Sequence, residues 1–398
     1  MMGILARTWG ILLLSILLLL LLGGCWDRKE LNELALVSAL SLDKAENNQI
    51  QATVQLVLPQ SQTGSMGGGN PEGGMSGRTS TQSETGVDVT DALSKLQGKI
   101  PRRMFWGQCK IFIFNEAVAR EGIQEELDFL LRSPQTRERA YMFVSKGSAA
   151  KVLELMPSIE RTSADVLRRV SDLKIGMRVN MKQFSGMLMG ESQAAILPLV
   201  YIVPQSLSSE QVKEIPNILG SVLFKKDRMV GEISEKTTRG VMWIRNEIGE
   251  YTIVFDTEEG RVSLRPIKSQ AKLIPEIKGE DWMMTIKVKS EGDIEENNTL
   301  LNPLNPKYLA VMNKGFEKDV KERIELAINE VQRKQKVDVL DFAKAFHRKY
   351  PRQWEKMKER WAEQFPKVRV NIEVHASINR PGLTSSPGGV PKEEVRER

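Results

Sequence analysis

Cys25 is the residue whose type and position point most directly to chemistry, in this case a covalent modification. The residues directly before it are Leu22, Gly23 and Gly24. An apolar run at residues 11–22, broken only by Ser15, leads into them, and Arg7 supplies a positive charge ahead of that run. A charged start, a core of about 7–15 apolar residues and small residues at the cut are the features of a signal peptide. The sequence therefore predicts a bacterial lipoprotein in which residues 1–24 are removed and Cys25 carries lipid.

An uncleaved membrane anchor is the alternative for this apolar run. A helix needs roughly 20 apolar residues to cross about 30 Å of hydrocarbon, and residues 11–22 fall short of that length. The polar and charged sequence that begins at Trp26 is what a cleavage boundary predicts. We therefore expect a processed chain held at the membrane by lipid on Cys25.

Residues that could support catalysis or bind a metal are sparse. The two histidines, His347 and His375, have no second His, Cys or carboxylate at a metal-ligand spacing. The sequence contains no Gly-x-Ser-x-Gly motif, and the glycines at 67–69 are not followed by Gly-Lys-Ser/Thr. We interpret the acidic pairs at 125–126 and 295–296 as solvated helix or turn positions. The chain is thus predicted to have no enzymatic activity, no metal and no cofactor.

Cysteine content and charge limit the compartment and the partners. If Cys25 carries lipid, Cys109 has no disulfide partner, and its apolar neighbours predict a buried strand. The chain has 57 Lys and Arg against 51 Asp and Glu, with the excess concentrated at residues 333–369 among aromatic residues. An exported protein with this patch is expected to face anionic lipid, cell-wall polymer or an acidic partner, and no nucleic acid. The alternative is a solvated helix face whose aromatic side chains lie in the core.

Hydrophobic periodicity predicts a multi-domain α+β protein with mainly antiparallel sheets and helices packed on one face of them. Alternating residues predict strands at 49–58, 282–289 and 368–378, and a single apolar stripe predicts a long helix at 308–334. The turn at 226–227 predicts a hairpin, and Pro266 predicts a bend between two strand segments.

Composition and proline positions predict the boundaries of five segments. The signal peptide at 1–24 precedes an N-terminal α/β domain at 25–160, which includes a flexible glycine-rich loop at 59–86. A middle domain or linker region follows at 161–217, with the main boundary near 205–217. A C-terminal α+β domain at 218–381 and a disordered tail at 382–398 complete the chain.

Several sequence blocks resemble the Ger(x)C family, the lipoprotein C subunits of spore germinant receptors. The first block is Gly24-Cys25-Trp26-Asp27 together with residues 30–33 and 37–44. Further blocks lie at 103–123, 129–132 and 145–147, and in the second half at 220–231 and around Pro351, Trp354 and Trp361. Ser41 departs from the Gly that many relatives carry, and the long glycine-rich loop is a second departure. The resemblance covers residues 25 to 381, nearly the whole mature chain.

This resemblance implies a three-domain α/β protein without known catalytic activity, anchored on the extracytoplasmic side of the spore inner membrane. It implies assembly with integral membrane A-type and B-type germinant receptor subunits, and contact with membrane lipid through acylated Cys25. Two alternatives from other classes stay open at this point. They are a lipid-anchored solute-binding protein of a transporter, which would show two doubly wound lobes, and a cell-wall lytic enzyme.

Overall fold

The structure, a computed structural model, describes residue 9 and residues 33–57, 79–157, 160–205, 213–249 and 251–380. In these ranges the chain forms two β-sheets with helices packed against them, so the predicted α+β class is confirmed. Cys25, the predicted tail and, apart from residue 9, the predicted signal peptide lie outside the described residues, as does the glycine-rich stretch at 58–78.

The first sheet contains nine strands within the described ranges, in the order β3-β2-β1-β5-β6-β7-β8-β9, with β4 paired to β1. The strands are β1 (Leu34–Lys44), β2 (Ile50–Val57), β3 (Thr79–Gly86), β4 (Arg103–Phe105), β5 (Ile111–Asn115), β6 (Tyr141–Ser145), β7 (Ala194–Gln205), β8 (Lys213–Lys225) and β9 (Arg228–Ile233). The central strands β1, β5, β6 and β7 run parallel, and antiparallel strands flank them on both sides.

Helices cover both faces of this first sheet. Along β5, Phe112 and Phe114 enter the larger core, whereas Ile111 and Ile113 enter a smaller one on the opposite face. Helices α4 (Ala149–Glu154) and α5 (Ser163–Asp172) cover the smaller core. The larger core is covered by α1 (Val89–Lys99), α2 (Glu116–Glu121), α3 (Gln124–Arg132), α6 (Met181–Leu188) and α7 (Glu235–Arg245). The prediction of helices on one face is therefore wrong here, because parallel central strands are stable when both of their faces are buried.

The second sheet contains β10 (Ile253–Thr257), β11 (Gly260–Lys278), β12 (Asp281–Asn297) and β13 (Arg369–Arg380), in that order. The chain leaves β12 through α8 (Pro306–Ala327), a π-helical continuation at Ile328–Gln335, and then α9 (Phe342–Lys349), α10 (Pro351–Met357) and α11 (Trp361–Gln364). It returns as β13, parallel to β12. The predicted bend at Pro266 is confirmed by a register shift between Pro266 and Lys268.

The structure differs from the predicted loop and boundaries in the first half. Thr79–Gly86 lies inside the predicted loop at 59–86 but forms β3, which pairs with β2 along its whole length. An edge strand needs few apolar side chains, because its stability comes from backbone pairing and β-branched residues such as threonine. The predicted boundary near 205–217 falls within the β7–β8 hairpin, so the segment at 161–217 contributes to the same sheet as the N-terminal strands.

Helix α7 connects the two sheets, since it contacts β8 of the first sheet and β11 of the second. Its C-cap residue Asn246, in the left-handed region at φ 61°, exchanges two hydrogen bonds with the backbone of Ala271. On another face of α7, Gly240 packs against α8. A Cβ atom at Gly240 would lie 2.2 Å from the carbonyl oxygen of Arg323 and 2.8 Å from the Cβ of Ala327. The approach of α7 to α8 therefore requires glycine at position 240.

The Gly240→Ala substitution is expected to lower the free energy of unfolding by about 1–3 kcal/mol, because overpacking outweighs the helix propensity of alanine. Gly98→Ala is the matched control, since a Cβ at this exposed position of α1 meets no atom within 4 Å. The control should be neutral or stabilising by roughly 0.5–1 kcal/mol. Urea denaturation of both variants tests this, and two shifts of the same sign and size would contradict the packing argument.

Candidate functional site

The described residues contain no grouping typical of metal binding. No three His, Cys, Asp or Glu side chains among them are placed to hold a metal ion. His375 is exposed on β13, far in sequence from His347 on α9. Burial raises the pKa of Cys109 to about 12, so its thiol stays protonated and is a poor nucleophile. In the part of the chain that the structure describes, no helix has the length and apolar character needed to cross a membrane.

A connected polar site lies where the C-terminal helices meet the turn before β7, and we call it the junction. Its members are Glu191, Arg245, Asp338, His347, Trp354 and Trp361. Glu191 lies in the turn between α6 and β7, and Arg245 ends α7. The other members lie on α9, α10, α11 and the segment before α9. The junction therefore combines residues from both halves of the chain.

The carboxylate of Glu191 bridges two side chains of the C-terminal helices. Its Oε1 lies 2.6 Å from Nδ1 of His347, and its Oε2 accepts a hydrogen bond of 3.0 Å from Nε1 of Trp354. The rings of His347 and Trp354 are close to parallel, with centroids 6.0 Å apart. Because Trp354 is only 1% exposed, its indole N–H has little access to water and depends on this acceptor.

Asp338 accepts four hydrogen bonds at the start of α9. Its Oδ1 accepts from the backbone N–H groups of Leu340 and Phe342, each at 3.2 Å. Its Oδ2 accepts from the N–H of Ala343 at 2.7 Å and from Nε1 of Trp361 at 3.0 Å. Burial raises the pKa of Asp338 to about 6, although these donors favour the ionised form. The carboxylate thus fixes both the start of α9 and the ring of Trp361.

Aromatic side chains pack directly behind these carboxylates. Trp361 lies 5.2 Å from Trp354, 5.7 Å from Phe346 and 5.9 Å from Phe365, measured between ring centroids. Trp282 of β12 also joins the cluster, at 4.6 Å from Phe346. The aromatic residues interleaved with the basic C-terminal sequence are therefore core residues. This agrees with the alternative interpretation of that sequence, a solvated helix face whose aromatic side chains lie in the core. The lysines and arginines between them lie on the outer side of the helices.

Arg245 completes the junction from the side of α7. Its guanidinium donates to the carbonyl oxygen of Val339 at 2.8 Å and to Glu247 at 3.0 Å, and it lies 3.7 Å from Asp341. These acidic neighbours raise the pKa of Arg245 despite its burial. A permanent positive charge therefore balances the negative charges of these acidic neighbours. The junction holds the two halves in one arrangement and shows no chemistry beyond that.

The structure also tests how the sequence placed its other polar residues. Cys25 and residues 22–24 lie outside the described residues. Glu295 and Glu296 are exposed on β12, as predicted, but Glu126 is 7% exposed, so the interpretation of it as solvated is wrong. Glu126 shares a helix face with buried Ile123 and Leu130, and this spacing is the signal that could have shown it. The sequence patterns did not predict the roles of Glu191 and Asp338. The partners of Glu191 are distant in sequence, and most donors to Asp338 are local backbone N–H groups.

Glu191→Ala is expected to lower the free energy of unfolding by about 1–3 kcal/mol, because the buried N–H of Trp354 loses its acceptor. Glu191→Gln keeps an acceptor oxygen and should cost less. Glu363→Ala on the exposed side of α11 is the control, and it should change stability by less than about 0.5 kcal/mol. Urea denaturation followed by tryptophan fluorescence measures all three. Equal stability of the Glu191→Ala and Glu363→Ala chains would contradict the bridging role.

Asp338 is expected to make stability depend on pH. Its pKa rises from 3.8 to about 6 on folding, so its contribution to the free energy of unfolding is present below pH 3.8 and lost as pH rises through about 6. The loss amounts to as much as about 3 kcal/mol. The stability difference between the wild type and Asp338→Asn, measured by urea denaturation from mildly acidic to neutral pH, should shrink as pH rises. A difference that stays constant with pH would show that Asp338 does not titrate in this way.

Comparison with known proteins identifies the family. A profile described as "Spore germination protein N-terminal domain" matches residues 27–202. A second, described as "Spore germination B3/ GerAC like, C-terminal", matches residues 219–382. The first match ends in β7 and the second begins in β8, and together they include residues of both sheets.

Individual relatives agree with these profiles. Spore germination protein KC of Bacillus subtilis (strain 168) is 27% identical, over 94% of this chain and 97% of the relative. Spore germination protein B3 of the same organism is 23% identical, over 91% and 95%. Spore germination protein GerQC of Bacillus cereus is 20% identical, over 94% and 99%. The crystal structure of the GerBC protein has a similar fold, with a TM-score of 0.56 and 19% identity over 85% of this chain and 96% of that one. The chain therefore belongs to the GerAC-like family of spore germination proteins, as its sequence blocks predict.

Proposed function

We propose that this chain is the membrane-anchored C-type subunit of a nutrient germinant receptor. It would act by docking with the integral membrane A-type and B-type subunits on the extracytoplasmic side of the spore inner membrane. The observation that carries this proposal is the match of both halves of the chain to spore germination proteins. The junction supports a docking role, because it joins the two halves of the chain into a scaffold on which a binding surface can be held.

The lipid-modified Cys25 would place one end of the first sheet near the membrane. Residues 25–33 precede β1, and an extended chain of this length reaches at most about 30 Å. β1 begins at Leu34, beside Arg103 of β4, and its Leu36 pairs with Val57 at the end of β2. This end of the sheet would therefore face the bilayer, and the opposite end would project away from it.

Replacement of Cys25 by alanine is expected to move the protein from the spore membrane fraction to the soluble fraction and to impair nutrient-triggered germination. The reason is that the anchor restricts the protein to the membrane plane and raises its effective concentration for its partners. Cys109→Ala is the matched control, since this thiol is buried and should carry no lipid. Immunoblots of spore fractions and germination assays measure both effects. Membrane retention and normal germination of the Cys25→Ala strain would contradict the anchor.

A further inference from the structure

A groove of about 1330 Å³ opens between α3, the end of α6 and the turn between β8 and β9. Five carboxylates line it, against two cations. One of these cations, Arg132, is already paired with Asp128 at 2.6 Å. The groove therefore carries an excess of negative charge, and we call it the acidic groove.

Glu126 is the buried carboxyl group of the acidic groove. It is 7% exposed, and its only hydrogen-bond partner among the described residues is its own backbone N–H. The negative charges of Glu125, Asp227 and Glu121 add to burial in raising the pKa of Glu126. A buried carboxyl without a cationic partner is costly, and an external cation would relieve that cost.

The fold holds Asp227 against the start of α3, the helix that carries Glu126, and both residues line the groove. The carbonyl oxygen of Asp227 accepts a hydrogen bond from the N–H of Ile123, just before α3. Gly122 has φ 125°, and a Cβ on it would lie 2.5 Å from Oδ2 of Asp227. Glycine at this position therefore allows the β8–β9 turn to bring its carboxylate against the start of α3.

Apolar side chains lie exposed along the same groove. Met189, just after α6, is 78% exposed, and Leu131 of α3 is 45% exposed. Both line the groove together with the acidic residues. Exposed apolar groups next to uncompensated acids are typical of a surface that a partner covers.

We propose that the acidic groove binds a cationic, amphipathic segment of a protein partner, with a lysine or arginine beside Glu126 and Asp227 and apolar side chains against Leu131 and Met189. This proposal rests on the proposed function, since it names the chemistry by which a receptor subunit would dock.

The position of the groove indicates which part of a partner can reach it. Ile50 at the rim of the groove pairs with Lys44, the last residue of β1, whereas the anchor precedes Leu34 at the other end of that strand. Eleven residues of β1 separate the two ends, a length of roughly 35 Å. The segment that enters the groove is therefore one that projects from the membrane, and not a lipid-embedded helix.

A peptide-binding measurement tests the chemistry of the groove. The probe is a short synthetic peptide of leucine and lysine in an amphipathic pattern, with a copy that carries glutamate in place of lysine. We expect the lysine peptide to bind the detergent-solubilised full chain. The double substitution Glu126→Gln with Asp227→Asn should weaken this binding about tenfold or more. Glu280→Gln with Glu363→Gln removes the same charge at exposed positions elsewhere and should leave the affinity nearly unchanged.

Three results of that measurement would overturn the proposal. The first is equal weakening by the groove pair and the control pair, which would indicate non-specific attraction. The second is equal binding of the lysine and glutamate peptides. The third is saturation of the groove by free lysine with no gain in affinity from the peptide, which would make the groove a site for a small cation.

Photo-crosslinking in spores separates this proposal from the proposed function. Benzoylphenylalanine in place of Met189 should form a covalent adduct with another protein, and the adduct should disappear when Glu126→Gln and Asp227→Asn are also present. Benzoylphenylalanine in place of Ile267, which is exposed and outside the groove, is the control. The yield of any adduct at that position should not change with the two substitutions. If the strain needs the protein for germination but Met189 gives no such adduct, the groove proposal is wrong and the receptor function stands. If the peptide binds the groove but germination does not need the protein, the receptor function is wrong instead.

Discussion

The arrangement of the two halves of the chain depends on two carboxylates, the exposed Glu191 and the buried Asp338, and on the side chains that they bind. Glu191 follows α6 in the first half, and its carboxylate meets His347 and Trp354 in the second half. Asp338 in turn fixes the start of α9 and the ring of Trp361. A buried polar group without a partner destabilises a fold, so these contacts select one relative position of the C-terminal helices and the first sheet. The aromatic cluster behind them adds buried apolar surface, but it specifies the orientation of the C-terminal helices less than these hydrogen bonds do.

A scaffold of this kind suits a protein that acts through its surface. Helix α7 packs on the first sheet, and its close approach to α8 at Gly240 and the two hydrogen bonds of Asn246 to Ala271 connect that sheet to the second one at another place. Two separated connections restrict rotation of one sheet against the other. The acidic groove and the end of the first sheet at which β1 begins can then keep a fixed relation, which is what the proposed docking on a membrane complex requires.

Local sequence patterns predicted much of the fold, because they reflect which side chains face the core. The alternation of apolar and polar residues at 368–378 predicted β13. The turn at 226–227 predicted the β8–β9 hairpin, in which Lys226 has φ 56°. The same approach missed β3, whose threonines and serines are held by pairing with β2 and not by apolar burial. It also placed helices on one face of the first sheet, although the uninterrupted apolar run of β5 shows that both faces are buried.

The polar contacts were harder to predict than the strands. Glu191 and Trp354 are separated by 163 positions, and no local pattern reports that they meet. Glu126 could have been placed, because its spacing from Ile123 and Leu130 puts it on the buried side of α3. The family itself was recognisable, since the blocks around Cys25 and in the second half occur together in one order. Sequence therefore identified the family and predicted an anchor at Cys25, whereas the junction and the groove required the fold.

The most direct test of the central claim is purification of the full chain from solubilised spore membranes, followed by identification of the proteins that accompany it. The account predicts two integral membrane proteins in constant ratio to the chain, an A-type and a B-type germinant receptor subunit, and their loss when Cys25 is replaced by alanine. Recovery of the chain alone, or together with the membrane subunits of a transporter, would contradict it.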